Sequence, residues 1–215
     1  MNKSLAVTAF CLGFTCCIQA QSLRQQGTDV SNIVPTGWEV NKATGDLNKD
    51  GIDDLVLVVK PDFKENTMTR DDGYVYNFNT PILAIYFGTP DGSFKQWKEY
   101  PDVIPADGEG VSVDVILKVT SRNTLSITTE VFHSMGSWSN EQYTYVYRFQ
   151  NGDFYLIGKQ TEEMKRNTGE IETVSENYLT WKRQVVIDNA FEQDFNKKET
   201  WTKLPKTKLK KLGEE

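Results

Sequence analysis

The residues best suited to chemistry in this chain are Asp46-Leu47-Asn48-Lys49-Asp50-Gly51-Ile52-Asp53-Asp54. Oxygen-bearing side chains stand at loop positions one, three, five and nine, glycine at six and Ile52 at seven. In a tight loop alternate residues can point inward at one centre. Glycine permits the reversal, and the seventh residue turns its carbonyl oxygen inward. Asp46, Asn48, Asp50 and Asp54 would supply side-chain oxygens to a calcium ion (Ca2+) and Ile52 a backbone one, while Asp53 should point away. Three carboxylates and an amide suit a hard cation, because charged oxygens repel one another unless an ion or water screens them. Magnesium suits the loop less, since it demands a smaller octahedral shell with several waters. The competing reading is an acidic turn that uses Asp, Asn and Gly for their turn conformations.

The elements that must hold this loop are strands. Trp38-Glu39-Val40 leads into it, and the run Leu55-Val56-Leu57-Val58-Val59 leaves it as a strand expected to be buried on both faces. Position twelve is Leu57, where an EF-hand or a dockerin-type loop would place a carboxylate. The string from Gly45 through Asp46, Asn48, Asp50, Gly51, Ile52 and Asp54 to Leu57 resembles the calcium loop and following strand of FG-GAP/VCBS repeats, found in integrin-type β-propeller blades. The resemblance covers residues 37–60 and extends weakly to Trp97. It implies calcium held by Asp46, Asn48, Asp50, Ile52 and Asp54. No second Asp-x-Asn-x-Asp-Gly string occurs in the chain, so a complete propeller is not expected. The stretch from Tyr143 to Gly158 also looks like the tail of small secreted bacterial proteins of unknown function, which brings no activity with it.

Elsewhere the patterning is that of antiparallel β structure. Residues 61–80 are polar and form a long excursion, and residues 82–87 and 94–97 flank a Pro90-Asp91-Gly92-Ser93 turn. Val113, Val115, Leu117 and Val119 alternate with more polar neighbours, as do Leu125, Ile127 and Val131. Tyr143, Tyr145, Tyr147 and Phe149 form the clearest alternation, and Asn151-Gly152 follows as a hairpin signal. Residues 171–181 and 185–187 read as further strands. No helical stripe of useful length occurs, although a short turn near Met164 or Phe195 is compatible with the pattern. The fold class is therefore mainly β, in antiparallel meanders or blade-like sheets. Residues 21–36 form an N-terminal linker, residues 37–203 a single β domain or two halves (37–105 and 106–203), and residues 204–215 a lysine-rich, solvated tail.

Other candidates are weighed against blander roles. His133, the single histidine, shares the parity of Leu125, Ile127 and Val131 and suits a strand-end packing role better than catalysis; Ser134, Ser137 and Ser139 are ordinary turn formers. The pairs Asp53-Asp54, Asp71-Asp72 and Glu162-Glu163 would serve glycoside hydrolysis only if held about 5–10 Å apart in a cleft, and strand neighbours face opposite sides. Trp138, in a Met-Gly-Ser-Trp-Ser-Asn loop, and Tyr74 and Tyr76, alternating with Phe78 in the excursion, are candidates for binding sugars or peptides. Trp38, Trp97, Trp181 and Trp201 sit in strand-like runs and are expected to fill cores.

Composition narrows the function classes. A formal charge of −6 argues against general affinity for nucleic acid or anionic lipid. Residues 1–20 read as a secretory signal peptide, with Lys3 at its start and Ile18-Gln19-Ala20 at its end. Its apolar run is too short for a transmembrane segment. A lipid anchor on Cys16 or Cys17 is the second reading, with Gly13-Phe14-Thr15 a poor match to it. Cys11, Cys16 and Cys17 all fall in this leader, so cleavage after Ala20 leaves a mature chain without thiol or disulfide chemistry. The expectation is a secreted or periplasmic, calcium-stabilised, non-catalytic β module that binds a protein or glycan at the cell surface. The alternative is a secreted enzyme or enzyme inhibitor whose site is assembled from distant residues.

Overall fold

The computed structural model describes residues 21–214. The signal-peptide and lipid-anchor readings fall on residues 1–20 and lie outside the described residues. In chain order, β1 (Gln26–Gly27) and one helical turn, α1 (Val30–Ile33), precede β2 (Glu39–Gly45) and β3 (Asp54–Lys60), which flank the acidic loop. A 3-10 turn at Lys64–Asn66 leads to the short strands β4 (Thr67–Thr69) and β5 (Val75–Asn77), then to β6 (Ile82–Gly88) and β7 (Phe94–Tyr100). The second half is a meander of β8 (Val111–Val119), β9 (Thr124–His133), β10 (Ser139–Gln150), β11 (Asp153–Lys165), β12 (Glu170–Asn177), β13 (Lys182–Asn189) and β14 (Lys198–Lys203).

These strands build a five-stranded sheet in the order β1-β7-β6-β3-β2, a seven-stranded sheet that runs from β8 to β14 in sequence order, and the small pair β4-β5. All pairings are antiparallel, and the seven-stranded sheet curls into a half-barrel; the fold is mainly β and not a closed propeller. The curl has a local origin. The register shifts between Val146 and Tyr147, where β10 crosses β11 close to Gly158, and such a bulge bends and twists its strand. Asn151 (φ 51°) and Gly152 (φ 75°) both take left-handed conformations and close β10 onto β11 with a tight turn whose twist matches the strands.

β3 is buried on both faces, as its unbroken apolar run requires. On one face Val56 and Val58, with Leu83 and Ile85 of β6, pack against Leu125, Ile127, Tyr147 and Phe154 of the curled sheet. On the other, Leu55, Leu57 and Val59 are covered by Leu23, Ile33, Val34 and Trp38. Residues 21–36 are therefore a lid on the first sheet and not a linker. α1 is capped by Asp29, whose carboxylate accepts the Asn32 N–H at 3.0 Å, and the Tyr86 hydroxyl donates to the Arg24 carbonyl.

The chain's last residues also differ from expectation. Instead of a solvated tail, they return to β11: the Leu156 N–H donates to the Lys210 carbonyl and the Leu212 N–H to the Phe154 carbonyl, both at 2.9 Å. Leu212 is buried at 2 % exposure in the core between the sheets. The two sheets meet edge to edge where the Asn41 amide donates to the Val115 carbonyl, and Gly45 lies so close to Val119 that a Cβ there would stand 2.7 Å from it.

Smaller expectations are corrected as well. β12 stops at Asn177, because the Asn177 side chain accepts the Leu179 and Thr180 N–H groups and starts a turn through residue 181. Trp38 and Trp97 pack inward, whereas Trp201 is exposed on the edge strand β14 and Trp181 sits in that turn with φ 55°. Met164 lies within β11, and the helical turns among the described residues are at Val30–Ile33 and Lys64–Asn66. Among the described residues no helix is long and apolar enough to cross a membrane.

Candidate functional site

The acidic loop folds around its own backbone. The Asp50 N–H is accepted by Asp46 Oδ1 at 3.1 Å and by Asn48 Oδ1 at 2.9 Å, so the oxygens of positions one and three converge on one point. Asp46 Oδ2 accepts the Gly51 N–H at 3.1 Å and Asp50 Oδ1 the Ile52 N–H at 2.8 Å; the Asn48 amide also donates to Asp50 Oδ2. Lys49 (φ 66°) and Gly51 (φ 86°) supply the left-handed turns that this wrapping needs. Ile52 is half-buried and Asp53 exposed.

Asp54 behaves differently from the other three. It is fully buried, and Oδ2 accepts the Leu47 and Asn48 N–H groups at 2.8 and 3.2 Å while Oδ1 accepts the Gly88 N–H at 3.0 Å. One carboxylate thus ties the start of the loop to the end of β6. Burial pushes its carboxyl above the usual range, against the pull of the three N–H groups, and Asp50 adds repulsion. A metal would meet Asp46, Asn48 and Asp50 at the surface and Asp54 largely committed to backbone donors. Among the described residues no group of three or more His, Cys, Asp or Glu side chains is arranged to hold an ion. The donor chemistry and the convergence of Asp46 with Asn48 fit calcium; the full five-ligand shell is not formed.

The aromatic candidates stand on two separate loops. Tyr74 is 59 % exposed, its ring edge-on to Tyr76 at 4.9 Å, and Tyr76 stacks on Phe78 at 5.7 Å. The base of this hairpin is fixed by the buried Asn79, whose amide bonds Asn66, Asn77 and the Phe63 carbonyl. Trp138 is 73 % exposed. Its loop is held by Arg166, whose guanidinium donates to the His133 and Ser137 carbonyls and lies over the Phe132 ring. His133 ends β9; Ser134 bonds Gly110, while Ser137 and Ser139 bond each other. Asp53 and Asp54 diverge, Asp72 pairs with Arg70 at 3.0 Å, and Glu162 and Glu163 occupy opposite faces of β11.

A feature that sequence spacing did not single out is a cavity of about 200 Å³ beside the inner face of the curled sheet. Tyr145 and Tyr147 of β10 meet Tyr178 and Trp181 of the β12–β13 turn there, under the returning residues 207–211. The same two β10 tyrosines border a second, more apolar hollow of about 400 Å³ with Ile127, Thr129 and Val131. The alternation of tyrosines along β10 was the available signal; the turn and the returning chain that complete the cavity are distant in sequence. No protein-family model, curated protein or solved structure matches the chain.

Proposed function

We propose that this chain is a secreted or periplasmic, non-catalytic binding module whose acidic loop is a single FG-GAP/VCBS-type calcium loop acting as a clamp. The observation that carries the binding role is the pair of exposed aromatic sites, Trp138 and Tyr74, each presented on a loop braced by a buried or charged polar residue. Large rings left in water on braced loops favour stacking on a sugar or packing on a protein surface, because their ordering cost is already met by the fold. The hollows are lined mainly by aromatic, aliphatic and lysine side chains, which favours binding over acid–base chemistry.

Calcium would be held by Asp46, Asn48 and Asp50 with the Ile52 carbonyl, Asp54 serving as the anchor between loop and sheet. The ion would neutralise a surface of like charges and stiffen the β2–β3 connection. The test is a screen of the purified protein against glycans and surface proteins, with calcium and with chelator. A ligand whose affinity falls at least tenfold in Trp138→Ala or Tyr74→Ala supports the proposal; finding no ligand that depends on either ring contradicts the role given to them, whatever binds elsewhere on the protein.

A further inference from the structure

We infer that the cavity between β10, the β12–β13 turn and the returning C-terminal segment is a binding site for one acidic sugar unit of a glycan. This deepens the binding-module reading and rests on it, but it places a ligand at a different surface from Trp138 and Tyr74.

Three observations combine. The walls are rings: the part-exposed Tyr145, Tyr178 and Trp181 line the cavity with the buried Tyr147 at its floor, and Tyr178 and Trp181 are edge-on at 6.1 Å and 62°. Ring faces and edges of this kind receive the apolar face of a pyranose. The mouth is cationic in a chain of net charge −6. Lys159, Lys208, Lys210 and Lys211 line it against the single carboxylate of Glu214, which is occupied by the Lys211 N–H. Lys159 lies over the Tyr145 ring at 5.5 Å, and Lys211 is engaged with Asp153 at 2.8 Å. Lys208 and Lys210 form no ion pair with the described residues and are exposed. The volume, about 200 Å³, lies below the roughly 300–1,000 Å³ of sites for drug-sized ligands, which matches one ring with a charged substituent and not an extended chain.

The backbone adds a fourth point. Trp181 holds φ 55°, a left-handed conformation that is strained for a bulky residue and that gathers at ligand sites. Its carbonyl accepts the Leu204 N–H at 2.8 Å, so the turn carrying the ring and the segment carrying the lysines are fastened together. Residues 210 and 212 are hydrogen-bonded to β11, which holds Lys208, Lys210 and Lys211 at the cavity that the tyrosines line.

The same four rings and cations would also receive an acidic peptide side chain, but a carboxylate on a flexible stem would leave the ring walls unfilled. The experiment is calorimetric titration of the mature chain with trigalacturonate and with a heparin tetrasaccharide, alongside neutral maltotriose and a hexaglutamate peptide. At least one acidic oligosaccharide is expected to bind, with affinity falling as salt rises, at least tenfold weaker in the surface variant Lys208→Glu/Lys210→Glu and in Trp181→Ala, and unchanged in the distant charge reversal Lys64→Glu. It is overturned if neither acidic sugar binds, if maltotriose or hexaglutamate binds as tightly, or if charge reversal leaves the affinity unchanged. Loss confined to Trp138→Ala or Tyr74→Ala would overturn the cavity site while leaving the general binding role standing.

Discussion

The carboxylate of Asp54 accepts the N–H of Gly88 at 3.0 Å, joining the exit of the acidic loop to the end of β6 across 34 residues of sequence. Gly88 must be glycine for this to happen: a Cβ there would lie 2.3 Å from the Asp53 carbonyl oxygen and 2.7 Å from the Ile52 side chain. The two residues make the loop part of the sheet instead of an appendage to it.

Removing that carboxylate strands three donors. Asp54→Ala leaves the Leu47, Asn48 and Gly88 N–H groups without their acceptor, and each buried orphan costs about 1–3 kcal/mol. A loss of about 3 kcal/mol or more in urea unfolding is expected. A change below about 0.5 kcal/mol, the size of an ordinary surface substitution, would show that the anchor does not matter.

The pH dependence of that anchor has a definite sign. Burial raises the folded-state pKa of Asp54 above its unfolded value of about 3.9. A carboxyl raised on folding contributes stability that is fully present below the unfolded pKa and is lost as pH rises through the folded one. The stability advantage of the native protein over Asp54→Asn should therefore narrow as pH climbs from about 4, followed as urea midpoints over a pH series. A gap that widens with pH would reverse the assignment.

The parts legible in sequence were local ones. Period-two alternation, Asn151-Gly152 and the apolar run of β3 each report on neighbours within a few residues, and the structure keeps them. What could not be read depends on distant covering. Leu23, Ile33 and Val34 are too sparse to announce a lid, and Leu212 is one of a few leucines spaced among lysines. The acidic loop's spacing was plain, but spacing could not show that Asp54 would be buried and turned toward Gly88. The tyrosine alternation of β10 gave a face without saying that Trp181 and the lysines would close over it.

Leu212 provides a test of the returning segment. It is buried against the inter-sheet core, so Leu212→Ala should cost about 2–4 kcal/mol, within the range for leucine truncations in cores. Lys206→Ala, on the exposed stretch before it, should stay within about 0.5 kcal/mol. Equal effects of the two in thermal or urea melts would mean that the segment is not docked.

The exposed rings should matter to ligands and not to folding. Trp138→Ala and Tyr74→Ala are expected to leave the melting temperature within about 2 °C, because neither ring is covered by the core. A large fall in either variant's melting temperature would show that the ring serves packing instead.

Calcium uptake by the loop of residues 46–54 is read from a melt of chelator-stripped protein with and without added calcium, beside Asp50→Ala. An ion that binds the folded form alone, at a hundred times its dissociation constant, contributes about 2.7 kcal/mol, or about 5–10 °C for a domain of this size. That rise is expected in the native protein and none in the variant. Superimposable native melts, or an equal rise in Asp50→Ala, would contradict it.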